Sequence, residues 1–183
     1  LGGSSSTNAM AYVRGNPADY DGWAEQGNFG WSFNELLPYF KRSENHEQIG
    51  LMDSGYHSSS GELGVTIPTR FQTPFVDGFI EACAAIGIPK NLDYNGKIQE
   101  GASLVQSTIK KGKRESGATA FLKPALKRHN LTAITNARVD KIILEGKNAV
   151  GVQYKKGGKT IQVFGQKEII LSAGTFKSVS YTH

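Results

Sequence analysis

The chain has 183 residues, of which 38% are hydrophobic and 20% are charged, and its formal net charge is +5 at pH 7. This size and composition allow one globular domain or slightly more, with a buried core. No apolar run approaches the roughly 20 residues that a membrane-crossing helix needs, and the single cysteine, Cys83, excludes an internal disulfide.

The charge is distributed unevenly along the chain. Residues 1–100 contain 6 Lys or Arg and 12 Asp or Glu, a net of −6, whereas residues 101–183 contain 15 and 4, a net of +11. A basic half can indicate nucleic-acid binding. Here, however, the lysines are dispersed along predicted strands and no basic helix accompanies them, which favours a solvated face. Nucleic acid is therefore not an expected partner.

The first residues form a pattern suited to an anionic ligand. The paired glycines Gly2 and Gly3 allow close approach of the backbone and tolerate positive φ. Residues 4–7 add four hydroxyls at a predicted helix start, where N–H groups carry partial positive charge, and Asn8 can both donate and accept hydrogen bonds. The same residues could form a flexible linker, but the aromatic and apolar residues from Tyr12 onward argue against that alternative.

This opening resembles the first signature of the glucose–methanol–choline (GMC) flavoprotein oxidoreductases. That signature contains Gly-Gly, two Ser or Thr, an Asn, Arg-Gly and then an acidic-aromatic segment, and here it stands as GGSSSTNAMAYVRGNPADYDGW. The resemblance implies that six residues contact FAD. They are Gly2, Gly3, Ser4, Asn8, Ala9 and Met10.

Two elements follow the signature. Ser32 is a predicted N-cap for a short helix with Leu36, Leu37 and Phe40 on one side, which Pro38 should bend or shorten. Residues 49–64 are rich in Gly, Ser, His and Asp and are predicted to be a loop. Within it, the Tyr56-His57 segment is similar to a family segment and is expected to mark the crossing from the FAD-binding domain to the substrate domain. A lone loop histidine is usually solvated, and we expect this of His57.

The middle of the chain contains the clearest predicted helix. A short strand at residues 65–67 precedes Thr73 as N-cap, Pro74 as the first helical residue and Gly87 as the C-terminal stop. The apolar stripe on this helix is predicted to be core; it consists of Phe75, Phe79, Ile80, Cys83 and Ile86. A turn at residues 92–96, a strand at 103–109, a basic turn at 110–114 and a helix capped by Ser116 are predicted to follow.

The remainder is predicted to be β-structure. The strand-length runs are residues 131–135, 139–144, 149–155, 160–164 and 168–171, with hairpin turns at 145–148 and 156–159. Residues 136–142 resemble a family motif whose Val contacts the adenine end of FAD through its backbone, which implies that role for Val139. Residues 167–175 resemble the family's strand returning to the nucleotide fold. Beyond Thr175 the resemblance ends, so His183 is not expected to be the family's catalytic histidine.

Together these features predict an α+β fold: a partial FAD/NAD(P)-binding domain of the GMC type with part of the substrate-binding domain, lacking the N-terminal Rossmann βαβ unit. Residues 1–50 are assigned to the FAD-binding domain, residues 51–110 to the substrate domain, and residues 111–183 to a β-rich return to the FAD-binding domain.

The resemblance implies a fragment of an FAD-dependent oxidoreductase that oxidises the CH–OH group of an alcohol, sugar or sterol by hydride transfer to flavin. Its partners would be a small-molecule alcohol and an electron acceptor. The basic turn and the loop with His57 favour the glucose-dehydrogenase-like branch. No residue of the chain is assigned as catalytic, and the chain alone is expected to be inactive. The histidine spacings give no metal site, and the compartment stays open, secretion included.

Two other functions remain open at this stage. One is a non-catalytic flavin-binding or scaffold relative of the same fold. The other is an unrelated α+β module that binds nucleic acid through its basic half.

Overall fold

The computed structural model describes residues 1–51, 55–69 and 73–179. These form two compact units, Leu1–Lys127 and Arg128–His183. The segments expected to belong to two domains, residues 1–50 and 51–110, lie in the same unit. Their assignment to an FAD-binding and a substrate domain stays a prediction. His183 lies outside the described residues.

The first unit is mainly helical. It opens with a 3₁₀ turn (Gly3–Ser6), and a second 3₁₀ turn spans Ile49–Leu51. The α-helices are α1 (Pro17–Glu25), α2 (Phe33–Ser43), α3 (Pro74–Ala85) and the short α4 (Lys123–Ala125), which continues a π-helical segment (Ala118–Leu122). None of the helices in the described residues is long and apolar enough to cross a membrane.

Helix α2 begins with a complete capping box. The Ser32 N–H and hydroxyl both contact Glu35 Oε2, at 3.1 and 2.6 Å, which satisfies donors that a helix start leaves free. The helix continues through Pro38 to Ser43, so the proline does not shorten it, and the alternative, that it bends the helix, stays a prediction. Aromatic packing holds this helix against α1, because the rings of Phe33 and Phe40 both contact the ring of Tyr20 in tilted arrangements.

Helix α3 has the predicted ends, and Gly87 adopts a φ of 89° just beyond it. The prediction that its apolar stripe is core is wrong. Phe75, Phe79 and Ile86 are 88%, 67% and 77% exposed, and only Ile80 is buried. At a helical period the three exposed residues share one face, and none of the described residues covers that face.

Short strands join the segments of the first unit. β1 (Glu44–His46) pairs in parallel with β2 (Leu63–Val65), and β3 (Ile109–Lys110) pairs with β4 (Lys113–Arg114) in an antiparallel hairpin. The hairpin confirms the predicted basic turn. The strand predicted at residues 103–109 is confirmed only at Ile109, the first residue of β3, and is wrong for residues 103–108. Within that stretch Ser107 forms isolated bridges to Ala11 and to Thr66.

The second unit is an antiparallel meander. Its strands are β5 (Arg138–Glu145), β6 (Asn148–Lys156) and β7 (Lys159–Phe164), in the order β5-β6-β7. Gly146, Gly157 and Gly158 have φ of 61°, 55° and 75°, as tight hairpin turns require, so both predicted turns are confirmed. A short helix, α5 (Thr175–Val179), follows.

Two of the five predicted strands in this part of the chain are wrong. Residues 131–135 and 168–171 have strand-like composition but no strand conformation. A β-strand is stable only when a neighbouring strand takes up its N–H and C=O groups. Among the described residues, no ladder partner pairs with either segment.

Candidate functional site

The opening segment folds as an exposed turn with two left-handed glycines. Gly2 and Gly3 have φ of 105° and 56°, a region that favours glycine. A Cβ on Gly2 would overlap Ser6 Oγ and lie 3.2 Å from Ala118 Cβ, whereas a Cβ on Gly3 would meet nothing within 4 Å. Gly2 is therefore required by packing as well as by φ, and Gly3 by its φ alone. The side of Gly3 and Ser4 faces open space.

Hydrogen bonds fix this turn to a distant part of the chain. Ser5 Oγ donates to the carbonyl of Gly2 and accepts from Gly117 N at 2.9 Å. Arg114 Nη1 donates to the Ser5 carbonyl at 3.2 Å and to Asn8 Oδ1 at 2.8 Å. The turn is thus held in one geometry although most of its side chains are exposed.

Asn8 anchors the next two residues. Its Oδ1 also accepts from Met10 N at 3.1 Å, and this local bond supports the φ of 65° at Met10. The Met10 carbonyl accepts from Thr108 N at 2.8 Å. Ala9, between them, is exposed. The structure therefore brings together six sequence-predicted residues in one segment: Gly2, Gly3, Ser4, Asn8, Ala9 and Met10.

Val139 lies in the other unit, on β5, opposite Tyr154 of β6. It lines an open cavity of about 660 Å³. The cavity carries three cationic side chains. Its lining residues are Asn136, Ala137, Arg138, Val139, Lys155, Ala173 and Lys177. Arg138 and Lys155 are also paired with Asp140, but the lining keeps a net positive charge, which suits an anionic or nucleotide-like ligand.

The donors at the opening turn fit FAD, the cofactor implied by the sequence resemblance. A dinucleotide presents phosphate oxygens and ring acceptors. The turn offers glycine backbone without Cβ obstruction, exposed hydroxyls, the Asn8 amide and the Arg114 guanidinium. Arg114 is not among the sequence-predicted site residues, because its contact with Asn8 spans 106 positions of the chain.

A buried group of charged and amide side chains forms the centre of the first unit. This polar cluster consists of Arg14, Glu44, His46, His57, Asp93, Asn95 and Gln106. Six of these residues are at most 5% exposed, and the Asp93 side chain is 14% exposed. Buried charges are costly unless they are paired and hydrogen-bonded, and in this cluster they are.

His57 lies between two carboxylates. Its Nδ1 is 2.8 Å from Glu44 Oε1 and its Nε2 is 3.0 Å from Asp93 Oδ2. Glu44 Oε2 accepts from Arg14 Nη2 at 2.8 Å. His57 is only 2% exposed, so the expectation that it is solvated is wrong.

These contacts decide the protonation of the histidines. Burial by itself lowers the pKa of His57, but hydrogen bonds to Asp93 and Glu44 outweigh burial and raise the pKa to about 9. Burial raises the pKa of Asp93, but the bond to His57 reverses this and holds it below its usual value. For His46, burial is the largest cause and lowers the pKa. His57 is therefore an imidazolium at neutral pH, and His46 is neutral.

The amides extend the cluster to the backbone of distant segments. Arg14 N donates to Asn95 Oδ1 and Asn95 Nδ2 to Gln106 Oε1, both at 2.8 Å, while Gln106 Nε2 donates to Asp93 Oδ1 at 2.9 Å. His57 binds both carboxylates of the cluster, and the described residues contain no group of three or more His, Cys, Asp or Glu that could hold a metal ion. The cluster is a structural centre that joins five segments.

Known proteins resemble nearly the whole chain. A family model described as GMC oxidoreductase matches residues 1–180. Oxygen-dependent choline dehydrogenase from Photobacterium profundum is 41% identical over 179 residues, which is 97% of this chain and 31% of the relative. The chain thus spans about a third of the length of this relative.

Solved structures show the same fold. Pyridoxine 4-oxidase from Mesorbium loti is 33% identical with a TM-score of 0.80, covering 88% of this chain and 31% of that one. An FAD-dependent oxidoreductase from Chaetomium thermophilum is 30% identical with a TM-score of 0.83, covering 93% and 32%. These matches agree with the predicted mixed fold and with the resemblance at the opening turn. The chain belongs to the GMC oxidoreductase family.

Proposed function

We propose that the protein containing this chain oxidises the CH–OH group of a small alcohol, sugar or sterol by hydride transfer to FAD, and that this chain supplies part of the cofactor site. The observation that carries the proposal is the opening turn. It combines left-handed glycines, exposed hydroxyls and an amide whose oxygen is already occupied. Such a surface can donate hydrogen bonds to a ligand with several acceptors.

Each residue has a distinct proposed role. Gly2, Gly3 and Ser4 bring backbone and hydroxyl donors close to the cofactor. Asn8 donates from Nδ2, because its Oδ1 is used by Met10 N and Arg114. The backbone of Ala9 and Met10 also contacts the cofactor, and the backbone of Val139 contacts its adenine end.

Bound FAD would supply the hydride acceptor. This chain's residues bind and orient the cofactor, and none of them is assigned to accept the hydroxyl proton. The relatives support a small-molecule substrate, since the names choline dehydrogenase and pyridoxine 4-oxidase each refer to an alcohol. The Photobacterium profundum relative is a choline dehydrogenase, so membership of the glucose-dehydrogenase-like branch stays a prediction.

The substitution Asn8→Asp tests the role of the amide. It keeps the oxygen that accepts from Met10 N and Arg114 but replaces the outward donor by an acceptor. In the full-length protein we expect FAD affinity to fall about tenfold or more. The reason is that a carboxylate oxygen of the new Asp side chain would face an acceptor atom of the bound FAD. The measurement is the Kd for FAD by fluorescence quenching, and an unchanged Kd would contradict the proposed contact.

The substitution Gly3→Ala tests the backbone at the turn. Gly3 and Gly27 both have positive φ, 56° and 94°, and at both positions a Cβ would meet open space. Gly27→Ala is therefore a matched control for backbone strain. We expect both variants to lose similar thermal stability, and only Gly3→Ala to lose FAD affinity as well.

Substrate oxidation separates the catalytic proposal from its alternative. Full-length protein with bound FAD should lose its flavin absorbance when an alcohol is added without oxygen. Protein that binds FAD tightly but is reduced by none of a panel of alcohols, sugars and sterols would instead be a non-catalytic flavin-binding relative.

A further inference from the structure

The guanidinium of Arg114 reaches the opening turn from a distant hairpin. One nitrogen, Nη1, donates both to Asn8 Oδ1 at 2.8 Å and to the Ser5 carbonyl at 3.2 Å. The hairpin that carries Arg114 is tied to the same segment at its other strand, because N–H of Thr108, the residue before β3, donates to Met10 O at 2.8 Å. The contact is therefore made between two anchored segments.

The two donors at Asn8 decide which way its amide faces. Met10 N and Arg114 Nη1 both donate to the same atom. A reversed amide would set its NH₂ against these two donors, so Oδ1 faces them and Nδ2 points away. Among the described residues, no group accepts a hydrogen bond from Nδ2. Arg114 thus fixes the direction of the donor that remains.

The positive charge of Arg114 is not neutralised by an ion pair. In the part of the chain that the structure describes, the ion pairs are those of Arg14, His57, Arg138 and Lys155 with Glu or Asp. Among the same described residues, the Arg114 side chain donates only to the Ser5 carbonyl and to Asn8 Oδ1. Its charge therefore acts on whatever lies beside Asn8.

We propose that Arg114 is a positioning residue of the flavin site, which aims the Asn8 Nδ2–H at the cofactor and supplies a positive charge next to it. This inference rests on the proposed function. Two effects follow. Loss of Arg114 frees the amide to rotate, which weakens FAD binding. It also removes a cation that favours the more negatively charged, reduced flavin, which lowers the midpoint potential.

The test uses full-length protein with FAD and three single variants. Arg114→Met removes the charge and the hydrogen bonds to Asn8 and Ser5. Arg114→Lys keeps the positive charge but replaces the planar guanidinium by an ammonium group on a flexible side chain. Lys113→Met is the matched control, since it removes the neighbouring exposed charge on the same strand without touching Asn8. The readouts are the Kd for FAD, the flavin midpoint potential and the melting temperature of the apoprotein.

We expect Arg114→Met to weaken FAD binding about tenfold and to lower the midpoint potential. Arg114→Lys should keep the potential nearer to wild type while losing part of the affinity, and Lys113→Met should change the Kd by less than about twofold. A fall in melting temperature with unchanged Kd and potential in both Arg114 variants would overturn the proposal, because it would reduce Arg114 to a structural tie.

A double-mutant cycle with Asn8→Ala tests whether Arg114 acts through the amide. If it does, replacing Arg114 by Met or Lys in the Asn8→Ala background weakens FAD binding by no more than about twofold. Fully additive losses would overturn the positioning role. Wild-type protein that fails to bind FAD at all would instead overturn the proposed function, so the two failures are distinguishable.

Discussion

A buried imidazolium lies between two carboxylates in the first unit. Glu44 contacts both Arg14 and His57 at 2.8 Å, and its side chain is fully buried. The attraction between these charges is strong because water is excluded from them. For the same reason, removal of one member leaves the others uncompensated.

Glu44→Gln tests this dependence. The variant keeps the shape of the side chain but leaves Arg14 and His57 without their shared anion. We expect the free energy of unfolding to fall by about 3–5 kcal/mol, measured by denaturant titration. Glu145→Gln, which changes an exposed side chain, is the control and should leave stability nearly unchanged. A small effect for Glu44→Gln would mean that the buried charges are not coupled.

Stability should depend on pH through His57. Its pKa is raised from the usual 6.5 to about 9, so its stabilising contribution is complete below about pH 6.5 and is lost as the pH rises through 9. This loss amounts to at most about 3 kcal/mol. Asp93 has a lowered pKa, so its contribution is lost in acid instead. Thermal melts between pH 6 and 10 measure the effect.

His57→Ala is expected to be less stable than wild type at neutral pH and to show a flatter decline between pH 6.5 and 9. His129→Ala changes an exposed histidine and serves as the control. If both variants kept the wild-type slope, another group would be responsible for it.

At the scale of elements, the ends of helices α2 and α3 and the hairpin turns followed from local chemistry. Ser32 with Glu35, Thr73 with Pro74, and the glycines after each element act within a few residues of one another, so the sequence is sufficient to predict them. The polar cluster is different. Its contacts join residues that are 11 to 81 positions apart, and no local pattern indicates which charges meet.

The wrong strand predictions have a related cause. Residues 168–171 have the composition of a buried strand, yet strand conformation depends on a partner that lies elsewhere in the sequence. The site was predicted only in part for the same reason. The opening glycines and Asn8 were recognised by order, whereas the contact from Arg114 depends on the tertiary fold.

The N-caps of helices α2 and α3 should differ in strength. Ser32 forms a capping box, whereas Thr73 caps α3 without a side-chain hydrogen bond. We expect Ser32→Ala to lower stability by about 1 kcal/mol and Thr73→Ala to lower it clearly less. Equal losses, measured by denaturant titration, would show that the cap hydrogen bonds contribute little.

Two glycines should respond to alanine in opposite directions. A Cβ on Gly61 would overlap the backbone of Ser43 and Glu44, whereas one on Gly78 within α3 would meet nothing within 4 Å. Gly61→Ala is expected to destabilise the β1–β2 region because backbone atoms would have to move. Gly78→Ala is expected to stabilise the protein by about 0.5–1 kcal/mol. The melting temperature should fall in Gly61→Ala and rise in Gly78→Ala.

For the molecule as a whole, the chain corresponds to about a third of the length of its relatives. Phe75, Phe79 and Ile86 on α3 are exposed side by side. They form a contiguous apolar patch rather than scattered single residues.

The polar cluster also has a consequence for salt. Counterions screen charges that they can approach, over about 8 Å at physiological ionic strength, but they cannot enter a site from which water is excluded. The ion pairs of Asp140 with Arg138 and Lys155 involve partly exposed side chains and should weaken in concentrated sodium chloride. The charges around His57 should not. The stability of the first unit should therefore depend more on the pH of the buffer than on its ionic strength.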